Sequence, residues 1–386
     1  MSNPFYHFAP QLHQLRDAGL LRARRISDGP QGVDVIVDGK SVVNFCSNDY
    51  LGLANHPEVI AAFQQAAERY GVGSGSAHLI CGHTAAHHAL EEELAEFTGR
   101  ERALLFSTGY MANIGVIAGL LQRGDSVLED RLNHASLLDG GLLSGARFQR
   151  YRHADLQDLS RRLQAAGGRT LVVSDGVFSM DGDIANVRGL ADLADKYQAG
   201  LLIDDAHGFG VLGVKGGGVA EYFDLGQQQL PILMGTLGKA FGTFGAFVAG
   251  SADLIELLLQ KARSYVFTTA LPAAVAEATR TSLRLLQTEA WRRERLHASI
   301  RRFRTGAAQL NLNVLPSETA IQPVVLGDSR LASAVSGKLL QQGFWVSAIR
   351  PPTVPDGTAR LRITLSAPHR DQHIDALLEA LSRSLT

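Results

Sequence analysis

A lysine set among glycines, Gly235-Thr236-Leu237-Gly238-Lys239-Ala240-Phe241-Gly242, directly follows the apolar run Ile232–Met234. Glycine lets a backbone approach a ligand closely, so an amine held there is placed for reaction rather than for solvation. The Gly-x4-Gly-Lys-Ser/Thr spacing of a nucleoside-triphosphate loop is absent. A second apolar run, Leu201–Ile203, ends in Asp204-Asp205-Ala206-His207-Gly208. Strand alternation sends Asp204 and Ala206 to one side and Asp205 to the other, so one carboxylate points into a site beyond the strand end. A buried carboxylate needs a cation or donor partner, because desolvating it alone is expensive. A third run, Ala103–Phe106, leads into Ser107-Thr108-Gly109-Tyr110, a small-residue turn that opens a helix. Free N–H groups and the helix dipole suit an anion there, phosphate above all. Taken singly, the aspartate reads better as a cap or salt bridge and the turn as an ordinary strand-to-helix connection. Jointly, an aspartate, a lysine and a phosphate turn describe one cofactor, pyridoxal 5′-phosphate (PLP). It takes a lysine as Schiff-base partner, a carboxylate on its pyridinium nitrogen and a turn with hydroxyls around its phosphate.

These segments form one site only if their strands lie side by side, since ligands in such sheets sit beyond the carboxyl ends of the strands. The order of elements supports that placement. Ala103–Phe106, Ser126–Glu129, Arg147–Arg152, Leu171–Ser174, Leu201–Asp204, Ile232–Gly235 and Ala246–Ala249 read as strands. Helical patterns fall at about Tyr110–Leu121, Ala135–Ser144 and Asp155–Ala165. Runs that are apolar throughout suit strands covered on both faces, and repeated strand–helix alternation gives a mostly parallel α/β sheet flanked by helices. After about Leu285 the composition shifts. Glu289–Leu310 is helical and charged, and its Trp291-Arg292-Arg293-Glu294-Arg295 reads as a solvated face rather than a nucleic-acid patch. Ile321–Leu326, a helix near Leu331–Gln342, Trp345–Ala348, Leu361–Leu365 and a terminal helix from Gln372 then read as a smaller α+β domain. Near the start come a helix at about Pro10–Arg24 and a hairpin, Val33–Val37 with Ser41–Phe45, turned by Asp38-Gly39. The expected organisation is a helix and hairpin segment at 1–45, a large cofactor domain at 46–285 and a small domain at 286–386.

The 386 residues carry 37 Lys+Arg against 38 Asp+Glu, a net charge of −1, which argues against an electrostatic grip on nucleic acid or an anionic membrane. With 45% hydrophobic and 19% charged residues, a large core can be buried. Two cysteines, Cys46 and Cys81, supply neither a disulfide framework nor a multi-thiolate metal site. The start lacks a basic segment followed by an apolar one, and no apolar stretch of about 18 residues occurs, so a cytoplasmic enzyme is expected. No Gly-x-Gly-x-x-Gly follows the first strand, which argues against a dinucleotide-binding dehydrogenase. No appended basic helix-turn-helix argues for a DNA-binding regulator.

Several segments together carry a resemblance: Ser47-Asn48-Asp49-Tyr50-Leu51-Gly52-Leu53, the Gly109-Tyr110 turn, Asn133-His134-Ala135-Ser136, Gly176–Asp183, Asp204–His207 and Thr236–Gly242. In that order, over nearly the whole chain, they resemble the α-oxoamine synthases, fold type I PLP enzymes that condense an amino acid with an acyl thioester and lose CO2. The resemblance implies Lys239 as the Schiff-base lysine, Asp204 on the ring nitrogen, and His207 and Ser179 near the ring's phenolic oxygen. It places His134 against the ring and Gly109, Tyr110 and Thr236 at the phosphate, with Thr268 or Thr269 reaching the phosphate from a neighbouring subunit of a homodimer. Arg22, Asn48, His134, Arg350 and Thr353 align with substrate-contacting positions, the arginines suiting carboxylates through bidentate hydrogen bonds. Lys239, His134, Asp204 and His207 are the implied catalytic groups. At Ala348–Pro355 and around Asn48 the resemblance is to members using L-alanine and a pimeloyl thioester, on CoA or acyl carrier protein, and so implies those substrates over glycine with succinyl- or acetyl-CoA. The Thr236–Gly242 segment is shared by both kinds of member and does not discriminate.

Other groups carry plainer expectations. His83, His87 and His88 near Glu91–Glu93 read as a solvated helix rather than a metal site, because further ligands are missing. Gly71–Ser76 mimics a dinucleotide loop but follows a helix instead of a strand. His78 joins Asn48 as a candidate substrate contact.

Overall fold

The computed structural model describes residues 8–385, which divide into two compact units. Of the described residues, one unit comprises Asn48–Ser179 and Asp183–Arg295; the other comprises 8–47, Met180–Gly182 and 296–385.

The first unit is built on a seven-stranded sheet in the order Arg102–Phe106, Ala246–Gly250, Ile232–Thr236, Gly200–Asp204, Thr170–Asp175, Ser126–Asp130, Arg147–Tyr151. Only Ala246–Gly250 runs antiparallel to its neighbours; the other pairings are parallel. Every residue of Ser126–Asp130 and Ala246–Gly250 is buried, which explains runs that are apolar rather than alternating: helices cover both faces. The helix Gly109–Leu120 starts at Thr108, whose hydroxyl accepts the Met111 N–H at 3.2 Å. Its neighbour Ala135–Leu143 lies against it closely because Gly140 has no side chain: a Cβ there would be 2.9 Å from Ile117 Cδ1. Register sets Asp175 beside Asp204 and Asp204 beside Met234, so the carboxyl ends of three central strands lie abreast. Among the described residues no helix is long and apolar enough to cross a membrane.

In the second unit the hairpin forms as the Asp38-Gly39 pair foretells, with Asp34–Val37 against Lys40–Asn44 and positive φ at both turn residues, +50° and +75°. The early segment does not stand alone, however. Phe344–Trp345 adds to the Lys40–Asn44 edge in parallel, completing a four-stranded sheet, while Ser347–Ile349 pairs with Ala359–Thr364 in a three-stranded one. The run read as one strand, Trp345–Ala348, thus serves two sheets. The first helix is also shorter than expected. It spans Ala9–Asp17 and gives way to Gly19 at φ +67°, which leaves Arg22 beyond it. In the first unit, the charged stretch after Leu285 departs from expectation in a different way, for Arg292 and Arg293 are buried rather than solvated. Arg292 donates to the Leu51 carbonyl at 2.9 Å, and Arg293 to those of Val214 and Leu286 at 2.9 and 2.7 Å. The Leu51 and Val214 carbonyls come from distant segments, and sequence spacing does not show that.

Candidate active site

Asp204, 4% exposed, ends its strand with both oxygens engaged: Oδ1 accepts the Ala206 N–H at 2.9 Å and Oδ2 the Asn113 amide at 2.7 Å. Asp205 points to the other face, as alternation predicts, and accepts the Val219 N–H at 2.8 Å. Burial, with the Asp204 charge adding to it, pushes both Asp205 and Asp175 well above the usual carboxylate range. Asp175 Oδ2 accepts the His134 backbone N–H at 2.7 Å.

His134 caps the helix Ala135–Leu143 at the strand ends. Its Nδ1 accepts the Ser136 N–H at 3.3 Å and lies 2.7 Å from the Ser136 hydroxyl. Asn113 Nδ2 donates to that hydroxyl at 2.9 Å as well as to Asp204. Donor and acceptor capacities then give one consistent chain. The two Asn113 N–H bonds go to Asp204 and Ser136, the Ser136 proton goes to His134 Nδ1, and His134 keeps its proton on Nε2. Burial, with Lys239's positive charge adding, lowers the imidazole pKa against the pull of Asp204 and Asp139, so the ring is neutral near pH 7. For Ser136→Ala, which breaks this chain at its middle, we expect a roughly tenfold loss of kcat/KM for the amino-acid substrate, as one buried hydrogen bond is worth about 1 kcal/mol or slightly more. Steady-state kinetics at fixed thioester checks it.

Lys239 is half-buried on the turn after Ile232–Thr236. Gly242 at φ +67° closes that turn, donating to the Lys239 carbonyl at 2.8 Å, and a Cβ on it would sit 2.3 Å from Ala54 N, so only glycine fits. The charge of Lys239 acts on His134, Asp175 and Asp205 alike, which places the amine within electrostatic reach of the strand-end carboxylates. At the start of Gly109–Leu120, a Cβ on Gly109 would lie 2.8 Å from Thr236 Cγ2; the glycine keeps open the space between the helix N-terminus and Thr236. Tyr110 donates to Asp139 and meets the His134 ring edge-on at 6.3 Å. His207, buried, is 2.7 Å from the Tyr50 hydroxyl through Nδ1, and Tyr50 donates to Asn48 Oδ1 at 3.1 Å. With the Tyr50 proton committed, His207 donates from Nδ1.

These features suit PLP. An amine, an acceptor carboxylate and a clear helix N-terminus converge at one set of strand ends, and Asn113 Oδ1 lies buried beside Asp204 with no partner. Ser179 follows the Val177–Ile184 bridge on a segment closed by the Phe178 N–H to Asp183 carbonyl bond, 3.0 Å. His153 holds that segment, lying 2.9 Å from Asp130 Oδ1 and 3.1 Å from Asp183 Oδ2. Burial alone would lower this imidazole, but the two carboxylate bonds outweigh it and carry its pKa up to about 10. A group raised in the fold stabilises fully below its unfolded pKa, near 6.5, and loses that contribution as pH rises through about 10. We therefore expect the stability gap between wild type and His153→Gln, read by urea unfolding, to shrink steadily from pH 6.5 to pH 10.

Thr269 forms a bridge with Ala77, and its carbonyl accepts the Ser107 hydroxyl at 3.4 Å; Thr268 precedes it, half-buried. The loop before it is fixed by Ser74 donating to the Leu271 carbonyl at 2.6 Å. Arg22, Arg350 and Thr353 belong to the second unit, where Arg350 donates to the Gly19 carbonyl and accepts the Thr353 N–H at its own carbonyl, 3.1 Å. Asn113, Ser136, Asp175 and Tyr50 were missed from sequence. Asn113 carried a signal: with Tyr110 it is the only polar side chain in the otherwise apolar GYMANIGVIAGL. The histidine group also differs from expectation, since His87 is fully buried, donating from Nε2 to the Leu271 carbonyl at 2.6 Å. His78 is buried too, stacked on Tyr265 at 4.9 Å, with burial pushing its pKa down to about 3.

A mostly parallel sheet with a lysine, an aspartate and a helix N-terminus at its strand ends defines a PLP-dependent transferase, and residues 40–381 match the class I and II aminotransferases. The chain belongs to that family. Within it, an 8-amino-7-oxononanoate synthase of Thioalkalivibrio sulfidiphilus is 62% identical over 97% of this chain and 96% of its own length. One from Pseudomonas aeruginosa is 59% identical over 98% of this chain and 94% of its own. Among solved structures, a serine palmitoyltransferase of S. paucimobilis with PLP bound superposes with a TM-score of 0.94 at 32% identity, covering 99% of this chain and 98% of that one. An 8-amino-7-oxononanoate synthase of Francisella tularensis gives 0.79 at 32%, covering 89% and 98%.

Proposed function

We propose that the chain condenses L-alanine with a pimeloyl thioester, on CoA or acyl carrier protein, to 8-amino-7-oxononanoate, the free thiol and CO2, a step of biotin biosynthesis. Relatives of that name at about 60% identity over nearly the full chain support it, together with the observation that carries it: Asp204 is linked through Asn113 and Ser136 to His134 at strand ends that adjoin the one leading to Lys239. PLP, when bound, supplies the electron sink for a carbanion at the amino-acid Cα. Lys239 is its covalent anchor and Asp204 holds a proton on its ring nitrogen; His207 and Ser179 serve the phenolic oxygen, and Gly109, Tyr110 and Thr236 the phosphate. The freed Lys239 amine moves the Cα proton away and returns it at the end of the cycle. His134, neutral and protonated on Nε2, donates to the substrate carboxylate and supports its departure as CO2. Arg22, Arg350, Asn48 and Thr353 receive the substrates. A homodimer, in which Thr268 or Thr269 serves the neighbouring subunit's phosphate, and a cytoplasmic setting complete the proposal.

The test crosses alanine and glycine with pimeloyl-, succinyl- and acetyl-CoA in a thiol-release assay. Alanine with the pimeloyl thioester should give the highest kcat/KM; preference for glycine with succinyl- or acetyl-CoA would instead make the chain a 5-aminolevulinate synthase or a 2-amino-3-ketobutyrate ligase. Arg350→Ala should raise substrate KM by roughly 10- to 100-fold, the value of a charge-assisted pair, while PLP affinity stays within about twofold.

A further inference from the structure

The PLP chemistry leaves one cluster of titratable side chains unused. His83, His88 and Glu91 each bring a ligand atom to within 4.8 Å of the other two. All three line a cavity of about 430 Å³ whose wall also includes His78 and Tyr265. We propose that His83, His88 and Glu91 form a binding site for one divalent transition-metal ion of the zinc class, completed by water.

The surroundings of the three groups favour this over chance proximity. Ligating imidazoles and carboxylates are commonly held by a second hydrogen bond at the far end, which aims the free lone pair. Glu91 has such a bond: Oε1 accepts the Leu105 N–H at 2.9 Å, leaving Oε2 to face His83 Nε2 at 4.0 Å. His83 has one too, because its Nδ1 lies 3.0 Å from Nδ1 of the buried His78. Donating there leaves the His83 Nε2 lone pair directed at Glu91. His88 is the mobile ligand, its side chain 66% exposed and 3.4 Å from Glu92 Oε1, so its ring can turn inward. Zinc bonds of about 2.0–2.2 Å hold ligand atoms roughly 3.3–3.6 Å apart, so the widest pair must close by up to about 1.5 Å, within reach of a side-chain rotation. His87 is not a ligand, although it also packs near His78 and His83. Its Nε2 is bound to the Leu271 carbonyl and its Nδ1 lies 3.1 Å from the Thr84 N–H. Two imidazoles and one carboxylate select zinc, copper or nickel over magnesium, which takes oxygen ligands and keeps its waters.

The holoenzyme, dialysed against chelator and then against buffer, is titrated calorimetrically with Zn2+ and, separately, with Mg2+. We expect one Zn2+ per chain, no Mg2+ uptake, and at least a tenfold loss of Zn2+ affinity in both His88→Ala and Glu91→Gln. Both variants should fold, since His88 is exposed and glutamine keeps the Leu105 bond. Unchanged Zn2+ affinity in these variants, absence of uptake by wild type, or equal binding of Mg2+ would overturn the proposal. Turnover in His88→Ala should match wild type.

Discussion

Replacing Lys239 with alanine should abolish covalent attachment of PLP and lower turnover by at least about 10⁴-fold, because the proposed function makes one amine both anchor and proton carrier. Borohydride reduction followed by mass spectrometry reads the first effect: wild type gains a pyridoxyl mass on the peptide containing Lys239, and the variant does not. Proton exchange at alanine Cα in deuterated water reads the second. The change should leave the fold intact. Backbone bonds close the turn, Gly242 N–H to the Lys239 carbonyl, Leu237 N–H to the Gly245 carbonyl and Thr243 N–H to the Leu237 carbonyl, the Thr243 hydroxyl adds a second bond to the Leu237 carbonyl, and alanine at 239 preserves all four. A loss of stability beyond about 1 kcal/mol is therefore not expected when this half-buried side chain is truncated. Reduced label on a different lysine, or near-normal Cα exchange in the variant, would remove Lys239 from its role and with it the reading of the site.

The groups legible in the sequence share one property: their chemistry is announced by residue type at a strand end. Lys239 between glycines, Asp204 after an apolar run and the small-residue turn at Gly109 are each unusual where they stand, and parallel strands bring such ends together by topology. What escaped is whatever depends on pairing between distant segments. Asn113 reaches Asp204 only because helix and strand end lie one above the other, and Ser136 reaches Asn113 only because Gly140 lets two helices approach. Helical spacing put His87 and His88 near a row of acids and suggested solvent for both. The Leu271 carbonyl, 184 residues away, decides otherwise for His87 alone. Arg292 and Arg293 failed for the same reason, since the carbonyls that accept their protons are not neighbours in sequence. The split of Trp345–Ala348 between two sheets was equally hidden, because a short apolar run carries no label for the partner strand on either side.

Asp204→Asn should lower turnover by about 10³-fold or more while leaving the urea midpoint nearly unchanged, since asparagine matches the shape and removes the acceptor that keeps the ring nitrogen protonated. The hydrogen-bond inventory around Asp204 extends this effect beyond the ring. Both oxygens accept N–H donors, from Ala206 and from Asn113, and an amide offers only one acceptor. If the new amide nitrogen faces Ala206, a donor meets a donor and the strand end must shift. If it faces Asn113, that side chain can turn over and present Oδ1, the atom now buried without a partner. Oδ1 would then accept the Ser136 proton, taking it from His134 Nδ1 and releasing the imidazole from its Nε2–H form. The substitution therefore damages the ring-nitrogen acid and the carboxylate donor together, and the two losses should not be additive. In a double-mutant cycle on kcat/KM, Ser136→Ala should cost about tenfold in wild type and no more than about twofold in Asp204→Asn, a coupling of roughly 1 kcal/mol. Full additivity would show that Asp204 and His134 act independently, despite the unbroken chain of donors between them.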